Sequence, residues 1–102
     1  IVEFAGGTVS ERGNYPGWQY ARDSKLRELV LGVYRDLTGA EAKLEATHGG
    51  LECGIFIEKI PCLDAISLGP ELHDVHSVRE RLSVPSTERV YELVCEVLRR
   101  SR

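Results

Sequence analysis

Two stretches of this sequence carry the residue types that chemistry needs. One is His73-Asp74-Val75-His76-Ser77-Val78-Arg79-Glu80, which follows an apolar run closed by Gly69-Pro70. A neutral imidazole at such a place can coordinate a metal ion, with a carboxylate such as Asp74 or Glu80 as its outer partner. On spacing alone, a solvated loop histidine is the commoner explanation of His76, and His73 reads as solvated. The other stretch is His48-Gly49-Gly50-Leu51-Glu52-Cys53-Gly54. Glycines there let the main chain approach a ligand, and the amides opening the next helix favour an anionic group such as a substrate carboxylate. A tight turn with close helix packing at Gly54 explains the same glycines without a ligand.

Other chemistries are weaker. Cys53 falls near a helix N-terminus, where thiol pKa values drop, but the sequence fixes no base beside it. Cys53, Cys62, His73 and His76 have the ligand types of a structural zinc site and lack its short cysteine spacing. Asp64 and Glu80 could form an acid/base pair, with nothing in the sequence to set their separation.

Composition narrows the class. The chain has 102 residues, 42% hydrophobic and 28% charged, with a net charge of −3. That describes one small domain with an ordinary apolar fraction. The basic cluster Arg99, Arg100 and Arg102 reads as a helix end, so no nucleic-acid partner is expected. No run of 18 apolar residues suggests a membrane partner. Three cysteines form an odd set without framework spacing, as reduced cytoplasmic thiols would. The sequence begins without Met, which suggests that something precedes it.

Several elements must position the candidate residues. Ile1 to Ser10 reads as a strand and turn, and Tyr15-Pro16-Gly17-Trp18 as a turn between aromatics. Ser24 is an N-cap for a helix bearing Leu26, Leu29, Val30, Val33, Tyr34 and Leu37, stopped by Gly39. Ala42 to His48 predicts a strand, Leu51 to Ile57 a short helix ending before Pro61, and Leu63 to Leu68 a second strand. Glu71 to Arg81 reads as a polar loop and Leu82 to Val84 as an edge strand. Pro85-Ser86 opens a last helix with a stripe of Val90, Leu93, Val94, Val97 and Leu98. This alternation predicts an α/β fold, a small helix-sheet sandwich with parallel pairing across the middle helix. Function in such sheets gathers after the strands' carboxyl ends, here at Gly49-Gly50 and at Gly69 to Glu80.

A family resemblance runs through these landmarks. Asn14-Tyr15-Pro16-Gly17-Trp18, His48 to Gly54, Ile60-Pro61-Cys62-Leu63-Asp64-Ala65-Ile66-Ser67-Leu68-Gly69-Pro70, His76-Ser77 and Glu80-Arg81 together resemble the C-terminal end of the aminoacyl-histidine dipeptidases. These are cytosolic zinc enzymes of the carnosinase and glutamate-carboxypeptidase superfamily. The resemblance covers roughly Gly13 to Arg99 and implies part of a catalytic domain that holds two zinc ions. Residues 1–12 would then be the end of an inserted lid domain or a crossing strand, and 13–102 the C-terminal part of the catalytic domain. It implies that His76 is a metal ligand, and that Gly50 and Glu52 line the substrate pocket. The chain departs from the pattern at Asp74-Val75 and Val78-Arg79. It also has no His-x-Asp and no Glu-Glu, the family's sources of the remaining ligands and the general base. The expectation is therefore a fragment of a dipeptidase cleaving Xaa-His or other short peptides. Alone it would be inactive, without tightly bound zinc, and able to self-associate. Its partners would be the rest of the catalytic domain and a short peptide substrate. The alternative is a stand-alone interaction or scaffold domain.

Overall fold

A computed structural model describes residues 1–46 and 50–102. Its elements are α1 (Lys25–Thr38), α2 (Glu52–Lys59), β1 (Leu72–His73), β2 (Arg81–Leu82) and α3 (Val84–Arg100). The architecture is mixed α/β, with three helices and one two-stranded antiparallel sheet among the described residues.

α1 begins and ends where its capping residues dictate. The Ser24 hydroxyl accepts from the Arg27 amide at 3.0 Å, and Gly39 adopts φ 70° so that its N–H closes on the Arg35 carbonyl at 2.8 Å. Position 27 is arginine, not the Glu or Gln of a capping box, so the remaining amides need an acceptor from elsewhere. Asp64 supplies it. One carboxylate oxygen accepts from the Ser24 hydroxyl at 2.6 Å and the other from the Leu26 amide at 2.9 Å. These bonds hold the Asp64 carboxyl below its ordinary value, the Ser24 hydroxyl contributing most.

α3 is capped in a related way. Ser83 is the N-cap and Pro85 occupies the first turn, where its missing N–H costs nothing. The buried Ser86 hydroxyl donates to the Ser83 carbonyl at 2.8 Å and accepts from the Glu71 amide at 2.9 Å. The Glu71 carbonyl in turn accepts from Ser83 N–H at 3.0 Å. The hairpin is thereby tied to the start of α3, with Leu72 opposite Leu82 and His73 opposite Arg81. α1 packs against α3 around Val33, which is fully buried, and Val97. Arg100 bridges back to Asp36 at 2.5 Å and also holds Glu96, whose carboxyl is pulled down to about 2 by Arg99 and Arg100.

The expected parallel sandwich is not what these residues build. Residues 1–7 coil into a turn, with Gly7 N–H on the Val2 carbonyl at 2.9 Å and Gly6 at φ 82°, instead of a strand. The strand expected at Ala42–His48 has no ladder partner through residue 46, and its end lies outside the described residues. Leu63–Leu68 is likewise unpaired. A parallel pair needs layers over both faces, and here both segments remain largely exposed beside an eight-residue helix. The pairing that forms is local. Leu72–His73, within the expected loop, meets Arg81–Leu82 through a short connection.

The chain is also expanded. It exposes 9081 Å², where a compact monomer of this size exposes roughly 5,800 Å². Its radius of gyration is 18.3 Å, against about 13 Å expected for a compact domain.

Removing the hydroxyl in Ser24→Ala should cost about 1 kcal/mol in chemical denaturation. The Asp64 carboxyl titrates lower in the folded chain, so its stabilisation is intact above the ordinary aspartate range and drains as pH falls below 3.8. Helical circular dichroism followed from pH 5 to pH 2 should fall less steeply in Asp64→Asn than in the parent sequence. Glu96 contributes the acid sensitivity that remains.

Candidate functional site

His76 lies in the tight connection between β1 and β2, exposed like its neighbours. Two residues of this loop that are not glycine take left-handed backbone angles, Asp74 at φ 51° and His76 at φ 63°. Such angles cost roughly 1–2 kcal/mol per residue, although Asp and His are among the side chains that tolerate them best. A dense set of bonds holds the loop. The Ser77 hydroxyl donates to the Asp74 carbonyl at 2.6 Å and accepts from the Arg79 amide at 3.1 Å. The Glu80 amide donates to the Ser77 carbonyl at 3.1 Å, and the Glu80 carboxylate accepts from the His76 amide at 2.7 Å. Asp74 pairs with Arg81 across the base of the hairpin. The carboxylates expected to flank the imidazole are thus engaged elsewhere, Glu80 with the main chain and Asp74 with an arginine. His73 is exposed on β1, in register with Arg81.

Gly50 and Glu52 stand at the other landmark, the entry to α2, of which His48 and Gly49 lie outside the described residues. α2 has no side-chain cap at Leu51; Glu52 is exposed in its first turn. The glycines have a clear structural use. A Cβ at Gly50 would sit 2.8 Å from the Tyr15 ring, and one at Gly54 would sit 3.0 Å from the Pro16 carbonyl oxygen. The segment Tyr15-Pro16-Gly17-Trp18, which forms no regular turn, therefore lies directly on the start of α2. Cys53 points its thiol toward the Ile66 carbonyl, 3.8 Å away, which ties α2 to the 63–68 segment.

Among the described residues no group of three His, Cys, Asp or Glu side chains is placed to hold a metal ion. Cys53, Cys62, His73 and His76 do not gather, and all three cysteines are free thiols. Asp64 and Glu80 serve different elements, one capping α1 and the other bracing the His76 loop. The described residues assemble no donor set for a metal, and His73 and His76 each stand as a single exposed imidazole. No helix among the described residues is long and apolar enough to cross a membrane. A separate groove of about 340 Å³ lies between α1 and α3, lined by Tyr34, Leu37, Pro70, Val90 and Leu93, with the Arg89–Glu71 ion pair among the residues around it. Sequence reasoning missed three anchors, Asp64, Ser86 and the Tyr15 ring. Each depends on a partner distant in sequence, 40 residues for Asp64 and 35 for the Tyr15 ring.

The chain is 33% identical over 99 residues to the cytosol non-specific dipeptidase of Escherichia coli (strain K12). That alignment covers 97% of this chain and 20% of the relative, so the chain spans about a fifth of that protein's length. No protein-family model matches the chain. No solved structure matches it either. At this level the similarity supports a segment of a peptidase-like protein.

Gly54→Ala sets two effects against each other. Alanine favours the helix by about 1 kcal/mol, while the new methyl group requires the Pro16 carbonyl to retreat. The chain has one tryptophan, Trp18, whose Cβ lies 3.6 Å from the same position. The expected outcome is a red-shifted Trp18 emission with helix content kept or raised, read by fluorescence and circular dichroism together.

Proposed function

We propose that this chain is the C-terminal part of the catalytic domain of a two-zinc dipeptidase and is inactive by itself. The observation that carries the reading is the lopsided alignment, nearly the whole of this chain against a fifth of a dipeptidase. The physical state of the chain supports it. Phe56, Tyr91 and Leu98 are more than half exposed, at 55%, 70% and 63%. On α3, Val90, Leu93 and Val97 face α1, while Val84, Tyr91 and Leu98 extend the apolar arc beyond it. A helix whose apolar arc is wider than its packed face is built for a further neighbour. Here that neighbour is the rest of the same catalytic domain. A free-standing scaffold domain would have to leave this surface in water, and two free copies would associate through it.

In this reading residues 1–12 belong to the lid or the crossing into it, and 13–102 to the catalytic domain. His76 donates its neutral imidazole to one metal. Gly50 and Glu52 face the bound peptide, with the α2 amides favouring its carboxylate. Zinc in such a site polarises the scissile carbonyl and lowers the pKa of a bound water. The chain's own share is to hold one donor and one wall of the pocket, while the bridging carboxylate and the base come from outside it. The substrate class is a short peptide, Xaa-His among them, and the compartment is the cytoplasm.

Incubated with β-alanyl-histidine and zinc, the isolated chain should give no turnover above zinc alone. Reproducible hydrolysis would overturn the fragment reading. In the full-length protein, His76→Ala should remove more than the 10–100-fold typical of losing an outer partner, together with bound zinc. His73→Ala, equally polar and three residues away, should be nearly silent. Measuring turnover and zinc content in both variants separates a ligand from a solvated histidine.

A further inference from the structure

The strand pair that carries His76 has only two residues on each side, all of them exposed. Apolar burial therefore does little to fix the direction in which the imidazole leaves the loop. That direction is set by the main chain, because the Cα–Cβ bond is fixed once the amide and carbonyl of the residue are placed. In His76 the amide is held by one side chain, the Glu80 carboxylate at 2.7 Å. Glu80 is itself braced, since its own N–H donates to the Ser77 carbonyl and the next residue, Arg81, pairs with Asp74.

We infer that Glu80 is a positioning residue for His76: by accepting the His76 N–H it holds that residue in its left-handed conformation and so aims the imidazole. The inference rests on the reading of His76 as a ligand but concerns a contact made with its main chain, four residues away. Asp74, Ser77 and Arg81 close the base of the loop, and Glu80 fixes its apex. A carboxamide has the same length and keeps an oxygen acceptor, whereas a methyl group keeps nothing. The ranking of variants at position 80 therefore distinguishes a hydrogen bond from a charge.

The experiment uses the full-length protein containing this segment, with Glu80→Ala, Glu80→Gln and His76→Ala, and zinc as the probe. Zinc affinity by chelator competition should fall about 10–100-fold in Glu80→Ala and be largely restored in Glu80→Gln, with the melting temperature unchanged in both. Exchange of the His76 amide with solvent should be slowed in the parent and Glu80→Gln proteins and fast in Glu80→Ala, a readout independent of zinc. If His76→Ala keeps its zinc, the ligand reading fails, and the amide exchange alone decides whether Glu80 holds the loop. If His76→Ala loses zinc while Glu80→Ala does not, the positioning role is overturned and the ligand reading stands. Equal losses in Glu80→Ala and Glu80→Gln would overturn it as well, by assigning the effect to charge.

Discussion

Among the described residues the buried hydrophobic core is two side chains, Val33 and Val97, at the crossing of α1 and α3. Burying one such side chain contributes about 1.5–3 kcal/mol, so this contact cannot by itself order a hundred residues. The rest of the structure depends on polar anchors set around it. Asp64 secures the 60–70 segment to the start of α1, Glu71 and Ser86 join the hairpin to α3, and Arg100 with Asp36 spans the far end of the helix pair. Each anchor occupies main-chain or side-chain groups at a helix end, where unpaired donors and acceptors are concentrated. A small apolar contact surrounded by satisfied helix ends is a thin core for an independent domain of this length.

The elements that were legible in the sequence are those decided by neighbours within a few positions. Ser24, Gly39 and the Leu26–Leu37 periodicity locate α1 to the residue, and the stop before Pro61 locates the end of α2 because proline forces Ile60 out of the helical region. The close packing at Gly54 was readable from the glycine itself, a mark of close approach within a helix, although its partner Pro16 is distant in sequence and was not. Strand pairing is different, since its outcome depends on partners that a local pattern cannot name. Ala42 to His48 and Leu63 to Leu68 have the alternation and apolar content of strands, yet through the described residues neither meets a ladder. The pairing that did form, Leu72 with Leu82, crosses a segment whose polarity reads as loop.

The candidate site shows the same division. That His76 stands exposed in a polar loop was legible from its sequence setting, whereas its backbone angle was not. A left-handed His76 follows from Glu80 reaching back four residues and Ser77 bonding to both sides of it, a cooperative arrangement with no composition signal. Asp64 illustrates the converse. A carboxylate beside a turn invites a reading as an acid or base, but two donors from α1 already occupy both of its oxygens and hold its proton affinity low. A carboxylate so engaged is a poor proton acceptor, and its chemistry is spent on architecture.

The two landmarks of the proposed site are also held over different ranges of sequence. Every bond that shapes the His76 loop lies between residues 74 and 81, so the loop carries its own geometry wherever the hairpin is placed. Gly50 and Glu52 sit where they do because Tyr15 and Pro16 lie against the start of α2, some 35 residues away in the chain, and because the Cys53 thiol meets Ile66. Those contacts join an irregular, partly exposed segment to a helix without a side-chain cap, so they are the easier ones to lose. A loop built locally keeps its geometry when a distant part of a longer chain is added. A helix entry that leans on a partly exposed aromatic segment gains rigidity when the apolar surfaces behind it are covered. Were the chain completed by a larger domain, as proposed, that assembly would act first on the segment around Gly50 and Glu52 and leave the His76 loop as the hairpin already sets it.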